Sequence, residues 1–487
     1  RTDTAYTVYH YTKDLGANTY TLNSTDNLTG TSDASLTLED LKKTITGFTY
    51  DKGSLSGSTN GAGTEVATTT IAADGTREIY LFYNRNTYAV TVNKGTGIAT
   101  VSGAGTYEYE AEVTLGYTET TGYHFVNWTG ITVTNNKFTM PADAVTVTAN
   151  GAANTYTINY TLNNGTAGSN QPTSGTYDEA VEISNPTRTG YTFNGWNITG
   201  MDSVTHTYGS STTTATSLSN RKETSYKNLR ATSGTVTFAA QWTAKTYTVT
   251  LNRNGGSGGS ASVTATYGSA MPSATMPTRA ASFSGSTTVR SAVTSYTYTF
   301  DGYYDAESGG TKYYNANGTS ARNWDKKSNT TLYAHWKATA GESFYVAAKS
   351  GTTVKLLAKY LINSSYNQTT GEDYIKVKFS NTNYWSAAGD LVPDSSATAT
   401  NRPAIYYAQQ YGPTKYGLES TLLTYTEASG LTNTILSAAY YWWIGSAYDT
   451  WFVWSVDFYG NLSLNKLQLY DEGGVRPVLI VSTSNFS

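Results

Sequence analysis

The chain has 487 residues, a formal net charge of -3 and only 14% charged residues, so it exceeds what one core serves and has no basic stripe for nucleic acid. It has no cysteine and four scattered histidines, His10, His124, His206 and His335, which excludes disulfides, thiolate metal sites and cysteine nucleophiles and leaves no histidine pair at ligand spacing. With 42 Tyr, 45 Gly and threonine runs such as Thr68-Thr69-Thr70, the composition favours pleated surfaces joined by tight turns, and the fold class is mostly β.

In chain order, residues 1–86 open on the strand Tyr6-Thr7-Val8-Tyr9-His10-Tyr11 and close on Ile79-Tyr80-Leu81-Phe82-Tyr83. Between them Leu36 to Ile45 reads as a helix with Ser35 as its cap. Residues 87–150 begin after a phrase, Asn86-Thr87-Tyr88-Ala89-Val90, that returns as Asn154-Thr155-Tyr156-Thr157-Ile158 and Lys245-Thr246-Tyr247-Thr248-Val249. A second phrase, Gly122-Tyr123-His124-Phe125-Val126-Asn127-Trp128, returns as Gly190-Tyr191-Thr192-Phe193-Asn194-Gly195-Trp196 and more loosely at Tyr298 to Tyr304. Pro186-Thr187-Arg188 recurs 91 residues later as Pro277-Thr278-Arg279, the offset that also separates Tyr156 from Tyr247. Such self-similarity defines modules: 1–86, 87–150, 151–243 and 244–337. The last two close on Trp242 and Trp336, and the fourth carries an insertion at about Ala280 to Ser295. The linkers are short, which predicts a semi-rigid rod rather than a flexible coil.

From 338 to 487 the repeat grammar stops, and one further domain is expected. Phe344 to Ala348 reads as a strand, Val354 to Ile362 as strand or helix, Asn381 to Thr400 as a long loop, Tyr416 to Ala428 as a helix, and Val475 to Val481 as the closing strand. Residues 454–459 alternate: Trp454, Val456 and Phe458 fall on one face of an extended segment, Ser455, Asp457 and Tyr459 on the other. A rigid sheet with a Ser, Asp and Tyr face suits adaptable recognition.

Residues 154–337 resemble two internalin B-type, or Listeria–Bacteroides, repeats in their Tyr strand, Asn-Gly turns at Asn164-Gly165 and Asn254-Gly255, Pro-x-Arg, Gly-Tyr-x-Phe-x-Gly-Trp and closing Ala-x-Trp. Residues 87–150 resemble the divergent form of that repeat, and 1–86 are similar to mucin-binding-type β modules. The resemblance implies tandem β-grasp-like modules used as a surface stalk. The last domain resembles the C-type-lectin-fold tips of bacterial variable proteins diversified by retroelements. The residues that carry this are Tyr441-Trp442-Trp443, Trp454-Ser455-Val456-Asp457-Phe458-Tyr459-Gly460-Asn461-Leu462 and Val475-Arg476-Pro477-Val478. That resemblance implies an α+β ligand-binding domain.

By the codon rule of that family, Trp451, Trp454, Lys466, Gln468 and Glu472 are fixed. Tyr448, Asp449, Thr450, Phe452, Ser455, Asp457, Tyr459, Ser463, Asn465 and Tyr470 are the implied ligand-facing positions. Other readings of these residues are weaker. Trp442 and Trp443 serve a core before they stack on sugar, and Arg476 is expected to pair with a carboxylate inside the fold. Asp449, Asp457, Asp471 and Glu472 lack the tripeptides of calcium-dependent lectins, so no metal, cofactor or catalytic residue is expected. Lys42, Lys43, Lys245 and Lys337 carry no assignable role in amide cross-links.

The expectation is a non-enzymatic adhesin on the bacterial surface. Its partner would be a protein or glycan on a host cell, a neighbouring bacterium or a phage, with membrane attachment only through an anchor outside the chain. Arg1 reads as the start of a mature or trimmed product. The competing expectation is a structural stalk whose last domain docks a partner subunit; a carbohydrate-directed hydrolase ranks below both.

Overall fold

The computed structural model describes the chain apart from residues 58, 60, 62, 371–372, 377–388, 391–393, 438–441, 448–451, 458, 467–474 and 487; in 389–390, 444–447, 452–454 and 463–466 it describes the backbone alone. The described residues are mostly β and fall into two compact units, Arg1–Thr243 and Ala244–Ser487. Among them no helix is long and apolar enough to cross a membrane.

Four times the chain builds one strand order. The first strand of a module pairs antiparallel with an early strand and parallel with the last, and the last is flanked on its other side by a strand from the middle of the module. In residues 1–86 these strands are Thr4–Lys13, Tyr20–Gly30, Phe48–Ser54 and Arg77–Arg85, with Val8 opposite Ile79 in the parallel pair. In 87–150 they are Thr87–Lys94, Gly105–Glu108, Tyr123–Thr129 and Val145–Ala153, with Val92 opposite Val147. In the third module Thr155–Thr161 lies between Ser174–Thr176 and Thr235–Ala244, and Tyr191–Thr199 flanks the latter. In the fourth Thr246–Asn252 pairs with Ser262–Thr266 and with Thr330–Ser350, which also takes Ala292–Tyr304. The repeated phrases therefore sit on equivalent strands: the Tyr-x-Val phrase opens the module and the Gly-Tyr phrase enters the strand that flanks the last one.

The cores match the alternation. Val8, Ile79, Leu81 and Tyr83 close the first, while Trp196, Ile158, Val236 and Phe238 close the third. Trp242 and Trp336 are only partly buried; each indole N–H donates across its module's Asn turn, Trp242 to Leu162 O at 2.9 Å and Trp336 to Asn254 O at 3.1 Å. Pro-x-Arg also gains a reason. Arg188 stacks on Tyr191 at 3.6 Å and Arg279 on Tyr298 at 4.1 Å, the cation lying over the electron-rich ring face.

In the first module the expected helix at 36–45 is one 3-10 turn, Leu38–Leu41. Ser35–Thr37 instead pairs as a strand with Thr68–Thr70, and Thr37 makes no side-chain cap; pairing of threonine-rich segments outweighs weak helix propensity. His10 is fully buried. Asp26 Oδ2 can only accept, so His10 Nε2 donates to it at 3.2 Å, and in the neutral ring Nδ1 accepts from Tyr83 Oη at 2.9 Å, which itself accepts from Lys43 N at 2.9 Å. Burial is the largest influence on this imidazole and pushes its pKa below the ordinary value, against the pull of Asp26.

In the second unit the fourth module and the last domain share one sheet. The 21-residue strand Thr330–Ser350 runs through the expected boundary at 337/338 and pairs with Thr353–Ala358, which pairs in turn with the closing strand Val478–Ser482. The insertion is part of this continuity. Its strands Ser282–Gly285 and Ala292–Tyr304 bring Phe283 and Val293 into the core of the last domain beside Phe344, Val346 and Leu479. At its tip Arg290 Nη2 donates to Gly430 O at 2.8 Å.

Three helices follow: α1 (Pro403–Tyr416), α2 (Tyr425–Ser429) and α3 (Asn433–Leu436). The helix expected at 416–428 is not there. Its leucines, Leu422 and Leu423, are fully buried in the extended stretch after the strand Ser420–Thr421, and only the capping box of Thr424 and Glu427 starts α2. Val354 to Ile362 is strand, and the closing strand begins at Val478 rather than Val475.

Candidate functional site

The aromatic phrases of the last domain form a second sheet of four strands, Gly389–Asp390, Trp442–Ala447, Phe452–Val456 and Leu462–Lys466, hydrogen-bonded in that order. At its base Trp442 lies opposite Val456, and Trp443 opposite Ser455. Trp442 and Val456 join a core with Leu357, Leu423 and Leu436; Trp443 joins the other core with Ile405, Val475 and Leu479. Both tryptophans are core residues, 0% and 3% exposed.

Both faces of the sheet base are thus covered, and one expected site residue is corrected. Ser455 is 1% exposed. It is a small residue opposite a buried indole, not part of a solvent face. The alternation also stops sooner than expected, because the strand ends at Val456. The chain turns between Val456 and Leu462, which pair with each other, and Asp457 is the clasp of that turn. Its carboxylate accepts from Tyr459 N at 2.9 Å, Asn461 N at 2.8 Å and Asn461 Nδ2 at 3.0 Å. Burial works against that charge, but the bonds from Asn461 and from the turn amides together hold the carboxyl below its ordinary pKa. This is the local side-chain-to-backbone bonding at which Asp excels.

The turn is seated on α3. Gly460 has φ +85, and a Cβ there would lie 2.1 Å from Asn433 O; Asn433 Nδ2 donates to Asn461 Oδ1 at 2.9 Å. Asn433 and Gly460 were not singled out from the sequence; the Gly-Asn pair within the aromatic phrase was the available signal. Among the described residues, the expected contact residue with the most exposed side chain is Tyr459, at 67%.

Arg476 is fully buried, and no carboxylate pairs with it among the described residues. Its Nη1 donates to Leu436 O at 2.9 Å, its Nε donates to Ala358 O, and its guanidinium lies 5.2 Å from the Trp442 ring. Leu436 is the last residue of α3, so that carbonyl lies at the negative end of a helix; it also accepts from Trp442 Nε1 at 3.0 Å. Carbonyls and an indole do what a carboxylate was expected to do. Burial pushes the guanidinium down to about 9, which leaves it charged at neutral pH.

Of the other expected contact positions, Tyr448, Asp449, Thr450 and Tyr470 lie outside the described residues, as do Asp471 and Glu472. Phe452, Ser463 and Asn465 are placed by backbone alone. Ser463 pairs with Ser455, Asn465 with Val453 and Phe452 with Lys466. Among the described residues no group of three or more His, Cys, Asp or Glu is placed to hold a metal ion.

Comparison with known proteins bears on the modules rather than on this sheet. Residues 88–155 match the family model of the divergent InlB B-repeat domain, and residues 156–219 that of the Listeria-Bacteroides repeat domain. No curated protein and no solved structure matches the chain. Residues 88–219 therefore carry InlB-type, Listeria–Bacteroides repeat domains, which are typical of bacterial surface proteins.

Proposed function

We propose that the protein is a bacterial surface adhesin. The repeat modules serve as its stalk, and the last domain, read as a C-type-lectin-like fold, binds a protein or glycan ligand without a cofactor. The observation that carries this reading is Tyr459, a large side chain 67% exposed on a turn that Asp457 clasps and Gly460 seats against α3. A preorganised aromatic contact gives area at low entropic cost. Support for the fold assignment comes from the pairing of the closing strand with Thr353–Ala358, near the start of the domain, and from the second sheet that holds the aromatic phrase. In this reading the binding face includes Tyr459, at the Val456–Leu462 end of the sheet, and any diversification spares Ser455.

Binding of the full chain to arrayed glycans and to bacterial and host cells tests the proposal. Tyr459→Ala should weaken a binding signal at least tenfold without loss of folding. A ligand that binds the last domain equally well with and without the Tyr459 ring would overturn the assignment of this face. A reverse transcriptase gene beside an imperfect copy of the codons for 445–475 is the expected genomic mark of diversification.

A further inference from the structure

The two junctions inside Arg1–Thr243 are built from the same parts. At the first, Asn86 N donates to Gly47 O and Tyr109 N donates to Asn86 O, both at 2.9 Å. At the second, Asn154 N donates to Gly122 O at 2.8 Å and Tyr177 N donates to Asn154 O at 2.9 Å. Each linker is a single asparagine between two strands. Its side chain is held by the second residue after the glycine: Thr49 Oγ1 donates to Asn86 Oδ1 at 2.6 Å, and His124 Nδ1 lies 2.7 Å from Asn154 Oδ1.

The rings repeat as well. Gly47 and Gly122 have φ +81 and +86, and a Cβ on either would sit 2.2 Å from Cδ1 of Tyr109 or Tyr177. Each tyrosine therefore lies directly on a glycine of the module before it. The residue after each glycine meets that ring edge-on, Phe48 on Tyr109 at 5.8 Å and Tyr123 on Tyr177 at 6.1 Å. After each tyrosine comes an acidic residue with left-handed backbone, Glu110 (φ 64) and Asp178 (φ 63). Each accepts from the preceding module: Glu110 from Arg85 Nη1 at 2.7 Å, Asp178 from Tyr123 Oη at 2.9 Å.

We infer that the Gly-aromatic pair of one module and the Tyr-acid pair of the next form an interlocking joint that fixes the angle between consecutive modules, so that the first three move as one body. A one-residue linker limits reach but leaves its own φ and ψ soft. Here its N–H, carbonyl and side chain are all bonded, and a ring closes over the glycine where no other residue fits. Two junctions with dissimilar sequences, Gly47-Phe48-Thr49 and Gly122-Tyr123-His124, converge on this geometry, which coincidence of packing does not explain. The joint stands whatever the last domain binds.

The absence of cysteine makes the test direct. Thr29→Cys with Thr146→Cys, both exposed positions on neighbouring modules, carries a spin-label pair across the first junction of the full chain. Pulsed dipolar spectroscopy should give one narrow distance distribution. Gly47→Ala and Tyr109→Ala should each broaden it at least twofold while amide exchange protection in both module cores persists; Tyr177→Ala, at the other junction, should leave it unchanged. Tyr109 is half-buried at the surface, so its truncation keeps the test open if Gly47→Ala disrupts a module. A broad distribution in the parent protein, or one that neither variant widens, overturns the inference.

Discussion

Replacement of Ser455 by tyrosine separates an interior residue from a ligand-facing one. A diversified contact position accepts a tyrosine at little cost, whereas Ser455 is 1% exposed and lies opposite Trp443, itself 3% exposed. The added ring and its hydroxyl have to enter a core that also holds Ile405, Val475 and Leu479. Overpacking of this kind costs about 1–3 kcal/mol, and a whole ring belongs at the upper end, ~3 kcal/mol. For a unit of this size 1 kcal/mol moves the melting point by roughly 2–4 °C, so the transition of Ala244–Ser487 should fall by about 6–12 °C. Differential scanning calorimetry of the full chain reads this, with the Arg1–Thr243 transition as internal reference. Tyr459→Ala is the control, expected within about 0.5 kcal/mol of the parent as an exposed substitution. A Ser455→Tyr protein that melts with the parent would show that the reasoning about the sheet base is wrong and return Ser455 to the binding face.

Phe283→Ala lies in the insertion of the fourth module but should destabilise the last domain, by about 3–5 kcal/mol as for other buried phenylalanines; urea unfolding followed by limited proteolysis within 344–487 checks this, and unaltered resistance there would count against the shared core. The first module should lose stability in mild acid. His10 is neutral and buried with a lowered pKa, so the unfolded chain binds the extra proton first. Its contribution is complete above the unfolded value of ~6.5 and declines as pH falls from there through the lower folded value. Thermal melts between pH 8 and 5 should show this slope for the first module, and His10→Gln should flatten it.

Much of the repeat-module architecture was legible because the repeated phrases do local work. The Gly-Tyr phrase needs its glycine under a ring, and Pro-x-Arg supplies the cation that stacks on that phrase's tyrosine. The equivalence of residues 1–86 to the other modules was harder to read, since strand order rather than wording carries it. In the last domain α1 was missed because Gly412, Pro413 and eight aromatic or polar residues mask its pattern, although Pro403 at its start and Gly417 (φ 66) at its end mark both boundaries. Alternation at 454–459 gave parity but not coverage. A period of two says which residues share a face; it does not say that Trp443, eleven residues before Trp454, comes back to cover that face, nor that Asp457 turns the chain.

The strand Thr330–Ser350 has a mechanical consequence. Tension that enters at Ala244 and is resisted by something held at the far end of the chain is carried along one unbroken backbone from the fourth module into the last domain. Ladder bonds lie across the strand, so the load shears many of them together instead of unzipping them one at a time. The fourth module and the last domain are thus expected to give way together under load rather than one after the other.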